Sequence, residues 1–473
     1  MRSASRRAPR PERRSAALAA GLLLAVAAQT AQPVRWTDFP QAIQQRLTAA
    51  RLDASSFAAF RQAHVLRTRV RVQESDLDAA VYYALQSTAF TEDAPVEPAV
   101  SAQTLVEGLD DALRQRFLSG AASPADRVPA SARRRLRALA GAVQTPPAGS
   151  RLALFRDVLD REAGNQASVE VALLSHYLKA MRFLYEKEFV AAARTDSAAG
   201  VAALYRDRPL STDTSVEAGY LVHLGLATLQ ALEPARRIRR VLLVGPGLDL
   251  APRTALLELG PPQSYQPYAV IDALVALGLA QLDDLEVIGA DVNDRVVSHL
   301  HDARSRGDVV TLATGIGDAG GVTLTDEYRG YVMALGQATA EILPAPALPA
   351  RYAGHVAKAL RFRPTVRQAI DGIRLDVVAD RLLGDPVDLV VATNIFPYLD
   401  DVELTLALAN IAAILAPGGV LLHNEARPLV GDVTGELALP LTHTRTAALA
   451  TVRGAATPLF DRVFIHVKGR VRP

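Results

Sequence analysis

Hydrophobic positions divide the chain into three textures. Residues 15–28 form an uninterrupted run of small and apolar side chains. From Trp36 to about Arg236, apolar residues recur at three- and four-residue spacing, the period of a helix with one buried face. That spacing predicts helices over residues 41–51, 75–85, 102–118, 130–142, 152–162 and 169–189. Pro- and Gly-bearing breaks at 92–98, 120–129 and 145–149 separate them. After Pro234 the period changes. Short runs rich in Val, Ile and Leu at 240–244, 285–289, 373–378, 388–392, 419–423 and 463–467 alternate with helix-length segments. Continuous apolar strands of this kind are buried on both faces, which predicts a mostly parallel sheet covered by helices. The expected organisation is a mainly α-helical domain over 32–236 and an α/β domain over 237–473.

The chain has 473 residues, 49% hydrophobic and 22% charged, long enough for two or three ordinary domains. It has no cysteine, which excludes disulfides, thiolate metal sites and cysteine nucleophiles. Six arginines against Glu12 give residues 1–14 a net +5 of the chain's total of +2, so the rest carries −3. A mildly acidic body offers no footprint for nucleic acid, and none is expected as a partner. The basic start, the apolar run and the small residues up to Ala31 read as a bacterial export signal over 1–31, implying a periplasmic or secreted protein. Arg13-Arg14 allows a twin-arginine variant of that signal. The run is short for a membrane span, so no stable insertion is expected beyond it. A cytoplasmic protein with a later start codon is the alternative.

Four landmarks carry chemistry. In Val241-Leu-Leu-Val-Gly-Pro-Gly-Leu-Asp249, a strand runs into Gly245-x-Gly247, where the missing Cβ atoms allow a tight turn and close approach of a ligand; an ordinary strand-to-loop turn reads the same way. The dinucleotide fingerprint wants a third glycine where Leu250 stands. Asp291 closes the run Val287-Ile-Gly-Ala-Asp291, placed either to accept hydrogen bonds from both ribose hydroxyls or to cap the following helix. The run 388–392 leads into Thr393-Asn394-Ile-Phe-Pro-Tyr398, a loop at the edge where substrate chemistry sits in open α/β sheets. There Asn394 offers a donor and an acceptor, and Tyr398 a ring with a hydroxyl; turn closure and core filling are the plain alternatives. The fourth is Leu415-Ala-Pro-Gly-Gly-Val-Leu-Leu-His423, a helix end, turn and strand. His299 and His301, two apart, fall on different faces of a helix, and no metal site is expected.

Taken in order, these landmarks resemble the Rossmann-like methyltransferases that use S-adenosylmethionine, over roughly half the chain. The stretch 388–400 and the Pro-Gly-Gly strand are most similar to the chemotaxis-receptor methyltransferase group. The resemblance implies a seven-stranded sheet with S-adenosylmethionine as cofactor. Gly245, Gly247 and Asp249 would form its loop, Asp291 would hold the ribose and Asp380 would face the adenine. Asn394 and Tyr398 would border a methyl acceptor that is a small molecule or a protein. Such enzymes usually carry an acid at the position of Leu243 and a third glycine at Asp249. An insertion over about 307–370 and the loop holding Gln263, Tyr265 and Gln266 also depart from the pattern; those three reach cofactor or substrate, or build a structural lid. Export would separate the protein from cytosolic S-adenosylmethionine, so a catalytically silent exported binding module is a second expectation. A nucleotide-binding oxidoreductase is a third.

Overall fold

The computed structural model describes residues 30–163, 168–191, 197–206, 208–251 and 261–469. Almost all of the expected export signal lies outside them. Thr30 and Ala31 are part of the fold: strand β1 (Ala31–Pro33) pairs antiparallel with residues 380–382, and Leu383 N–H donates to Thr30 O at 2.9 Å.

Helices follow: α1 (Gln41–Ala49), α2 (Phe57–Gln86), α3 (Pro98–Glu107), α4 (Asp111–Leu118), α5 (Ala130–Ala142), α6 (Arg151–Ala163), α7 (Val169–Tyr185), α8 (Ser197–Arg206) and α9 (Val216–Leu232). Side-chain caps set several starts. Ser168 accepts from Val171 N–H at the head of α7 and Ser215 from Ala218 N–H at the head of α9. The single helix expected over 102–118 is two helices, because Asp110 accepts from Leu113 N–H and begins α4 afresh. Helix α2 is 30 residues long and starts eighteen residues earlier than its apolar stripe predicted.

The second half contains β2 (Arg240–Val244), α10 (Gln266–Ala276), β3 (Glu286–Asp291), α11 (Asp294–Ser305), β4 (Val310–Ala313), β5 (Val322–Leu324), α12 (Asp326–Ala334), β6 (Ala340–Leu343), β7 (Ala357–Phe362), α13 (Pro364–Gln368), β8 (Ile370–Arg374), β9 (Asp380–Leu382), β10 (Val387–Ala392), α14 (Asp401–Ile414), β11 (Leu415–His423), α15 (Pro428–Glu436), β12 (Leu441–Val452) and β13 (Leu459–Val467). The main sheet runs β5-β12-β13-β11-β10-β2-β3-β8. Strands β8, β3, β2, β10 and β11 are parallel, and β13 lies antiparallel between β11 and β12. The sheet has eight strands where seven were expected; the extra one is β5, three residues lent by the insertion. The insertion also holds the separate antiparallel sheet β4-β7-β6.

Strand residues alternate between two cores. Leu242, Val244, Ile288, Val390 and Leu421 pack with α14 and, unexpectedly, with Ile43 and Leu47 of α1. Val241, Leu243, Val287, Leu389 and Leu422 pack with α9 and α10, and this core continues without interruption into the helices α2–α7. Among the described residues no helix is long and apolar enough to cross a membrane.

Candidate functional site

Strand order reverses beside β2: the chain leaves it for β3 on one side and later returns as β10 on the other. The crevice outside the carboxyl ends of such a pair is where open α/β sheets bind ligands. Gly245 (φ 65°) and Gly247 (φ 74°) turn the chain there in left-handed conformations that a side chain would strain. Gly245 N–H still donates to Ala290 O at 2.8 Å, so the turn begins as the ladder ends. Asp291 lies at the matching end of β3, 8% exposed, and accepts from Asn293 N–H at 2.8 Å as well as from the backbone of Gly247 and Val292. Burial pushes its carboxyl up to about 7 in spite of those donors.

These three residues line one crevice of about 100 Å³ with Leu375, Asp376 and Val377 from the loop after β8 and with His64, Thr68 and Arg71 from α2. Beside it opens a cleft of about 1220 Å³, bordered by Asn394, Pro397, Tyr398, Gln266, Thr393, Asp213 and Arg427. Asn394 is exposed at φ 60°, a conformation asparagine tolerates better than most residues. The Asn424 amide grips it twice, accepting from its backbone N–H and donating to its Oδ1, both at 2.8 Å. Tyr398 packs edge-on against Tyr205 with ring centroids 5.2 Å apart and under the Arg71 guanidinium at 5.8 Å. Burial holds its phenol above the ordinary value.

Two expected cofactor residues stand elsewhere. Asp249 turns away from the crevice: it lies 3.8 Å from the Arg151 guanidinium in a buried ion pair, and its N–H donates to Gln263 O. Asp380 sits on β9 opposite Pro33 and does not line the crevice. Strand β8 ends at Arg374, four residues before the end of the apolar run that predicted it. The loop at its carboxyl end therefore presents Asp376. Of the loop residues, Gln266 reaches the cleft and donates to Thr393 Oγ1 at 2.7 Å. Gln263 instead pairs with the backbone of Thr311 on β4, and Tyr265 meets Tyr331, hydroxyl to hydroxyl, at 2.8 Å in the core. Leu243 is fully buried in the sheet. His299 accepts from Ser264 N–H, while His301 bonds Gly372 O.

His64 and its partners were not singled out in the sequence. Its Nδ1 lies 2.8 Å from Glu403 Oε1 on α14 and its Nε2 2.9 Å from Asp376 Oδ2, while Arg67 donates to Glu403 at 3.0 Å. Burial alone would lower the imidazole, but the two carboxylates outweigh it and raise it to about 9. Glu403 is drawn down to about 2: burial opposes this, and the bonds from His64, Asp400 N–H and Arg67 prevail. A charged imidazolium between two carboxylates thus bolts α2 to α14 and to the loop after β8.

No family model matches the chain, and no curated protein matches it. Among solved structures it is similar to the S-adenosylmethionine-bound magnesium protoporphyrin IX methyltransferase of Synechocystis (8% identity, 53% of this chain and 80% of that one, TM-score 0.26). It is also similar to the N-methyltransferase NodS of Bradyrhizobium japonicum (13% identity, 53% and 95%, TM-score 0.26). A third is a putative class I S-adenosylmethionine-dependent methyltransferase of Listeria monocytogenes (11% identity, 84% and 90%, TM-score 0.26). At that level of likeness the functional reading rests on the chain's own residues.

Proposed function

We propose that the chain binds S-adenosylmethionine in the crevice at the β2–β10 switch point and transfers its methyl group to an acceptor in the adjoining cleft. One observation carries the reading. The carboxyl edge of the sheet gathers a two-glycine turn, a buried carboxylate at the end of β3 and a second carboxylate after β8 around one crevice, which abuts a cleft bordered by Asn394 and Tyr398. The residue set suits an adenosyl group: Asp291 accepts from ribose hydroxyls, Asp376 takes the nucleobase-facing place implied for Asp380, and bare glycine backbone permits close contact. Thr212 Oγ1, buried beside the turn with no hydrogen-bond partner among the described residues, waits for one. In this conformation the crevice is smaller than the roughly 300–1,000 Å³ of ligand pockets, so seating a nucleoside requires its walls to move.

S-adenosylmethionine, when bound, supplies a methyl already activated by its sulfonium. The chain's task is then orientation and exclusion of water. Asn394, its amide fixed by Asn424, and Gln266 orient the acceptor, while Tyr398 and Ile395 keep the junction dry. We read the acceptor as a small molecule or a protein and the site as one of the chemotaxis-receptor methyltransferase type. The antiparallel β13 between β11 and β12 departs from the 3-2-1-4-5-6 order of dinucleotide folds and disfavours an oxidoreductase. We also read residues 1–31 as an export signal, 32–236 as a helical half and 237–473 as the methyltransferase-like half, the two halves sharing one core. A mature N-terminus found by mass spectrometry near residue 32 would fit the first.

Calorimetric titration of the full chain with S-adenosylmethionine, S-adenosylhomocysteine and NAD tests the function. The first two are expected to bind, and Asp291→Ala, checked for folding by its melting curve, to abolish binding. NAD binding alone overturns the reading. The small crevice itself favours the second reading, a silent binding module. No heat from any of the three at millimolar concentration would support that module.

A further inference from the structure

The crevice and the cleft adjoin along one wall: Ser211, Thr212, Gly245, Ile395, Tyr398 and Leu399 line both. At that wall the space in front of each left-handed glycine is filled from within the chain. The Ile395 side chain occupies the place a Cβ on Gly245 would take, and Thr212 O with the Thr214 methyl does the same at Gly247. The two glycines of the turn are thus capped by the Ile395 side chain, the Thr212 carbonyl and the Thr214 methyl.

The segment 208–214 that supplies two of them belongs to no helix or strand. Its start is pinned by the Arg208–Asp78 ion pair at 2.8 Å, and a few bonds tether the rest. Leu248 N–H donates to Thr212 O at 2.8 Å and Leu210 N–H to Arg71 O at 3.3 Å. Arg71 itself clamps Arg208 O at 2.9 Å, Tyr205 O at 3.0 Å and Tyr398 O at 3.2 Å. Ser211 N–H reaches the Tyr398 phenol. The strap lacks a backbone ladder and leaves Thr212 Oγ1 buried and unpaired among the described residues, so its seated position is not fully satisfied.

We propose that Ile395 and the strap 208–214 form a gate between the donor crevice and the acceptor cleft. An adenosyl ligand enters by displacing Ile395 from Gly245 and the strap from Gly247, which joins the two spaces into one. This rests on the reading of the crevice as an adenosyl site and adds what controls access to it. A closed gate lowers apparent affinity by the fraction of molecules that are open, so trimming the plug raises affinity.

The test uses the full chain, with S-adenosylhomocysteine as the probe. Ile395→Ala is expected to tighten binding ~10-fold or more, with Ile395→Val between it and the parent. In hydrogen exchange, the ligand is expected to change protection at 208–214 and 245–248. A folded Ile395→Ala chain that binds no tighter than the parent overturns the gate, as does ligand binding that leaves exchange at 208–214 unchanged. Binding by Ile395→Ala when the parent shows none supports it. Absence of binding in all three chains overturns the adenosyl reading itself, and the gate with it.

Discussion

His64 gives the molecule a pH signature that a neutral core residue would not. Its folded value of about 9 stands above the ordinary 6.5, so its stabilisation is whole below pH 6.5 and is lost as pH rises through about 9. The difference corresponds to ~3 kcal/mol. Glu403, at about 2 against 4.5, contributes stability present above pH 4.5 and lost as pH falls through about 2. Both describe one pairing, so they do not add. The cluster is expected to be most stabilising between pH 4.5 and 6.5. Urea denaturation from pH 6 to 10 should show the parent's advantage over His64→Gln shrinking as pH climbs toward 9; an advantage independent of pH would remove the imidazolium from this account. At this scale the positions of the glycine turn, Asp291, Asn394 and Tyr398 along the crevice and cleft were legible because each sits within a few residues of a strand end. His64 and Asp249 were not: their partners, Glu403 and Arg151, lie 339 and 98 residues away, a distance no local pattern encodes.

Elements act here through how they are tied. Arg208 at the start of the strap bonds Asp78 on α2 at 2.8 Å, with both side chains nearly buried and the guanidinium 3.9 Å from the centre of the Phe183 ring. Removing one charge strands the other, at a typical cost of 3–5 kcal/mol. Arg208→Met is therefore expected to lower the unfolding free energy by about that much, and Asp78→Asn in the same chain to recover a large part. Losses of the Arg208→Met and Asp78→Asn single variants that simply add in the double variant, measured by urea unfolding, would show that the pair is not coupled. Strands β2 and β10 and helix α5 were legible to within a residue because their burial matches their period. Strand β8 was misplaced because Leu375, Val377 and Val378 are buried in a loop, and burial makes a loop as apolar as a strand. The loop after β8 therefore presents Asp376 to the crevice, while Asp380 lies on β9 opposite Pro33. Strand β12 escaped notice for the opposite reason, since Leu441–Thr446 is exposed throughout.

For the whole molecule, the change of texture near residue 236 suggests two domains, yet the packing crosses it. Helix α9, which precedes the boundary, packs on α10, β12 and β13, and one hydrophobic core runs from Leu77 on α2 through Tyr220 on α9 to Val241 and Ile465 in the sheet. Helix α1 crosses to the far face and packs against α14, while β1 closes on β9. The helices before residue 236 therefore cover surface that the sheet would otherwise expose to water at about 25 cal/mol per Å² of apolar area. Chains of this size commonly unfold in steps, so cooperativity here is a stringent expectation. The full chain should melt in a single calorimetric transition whose measured enthalpy matches its van't Hoff value, and residues 237–473 alone should fail to give a cooperative transition. Two resolved melts, one of them reproduced by the isolated second half, would mean that the shared core contributes little. The crevice would then lie between two independently stable bodies, and its walls would move as whole domains rather than as a strap.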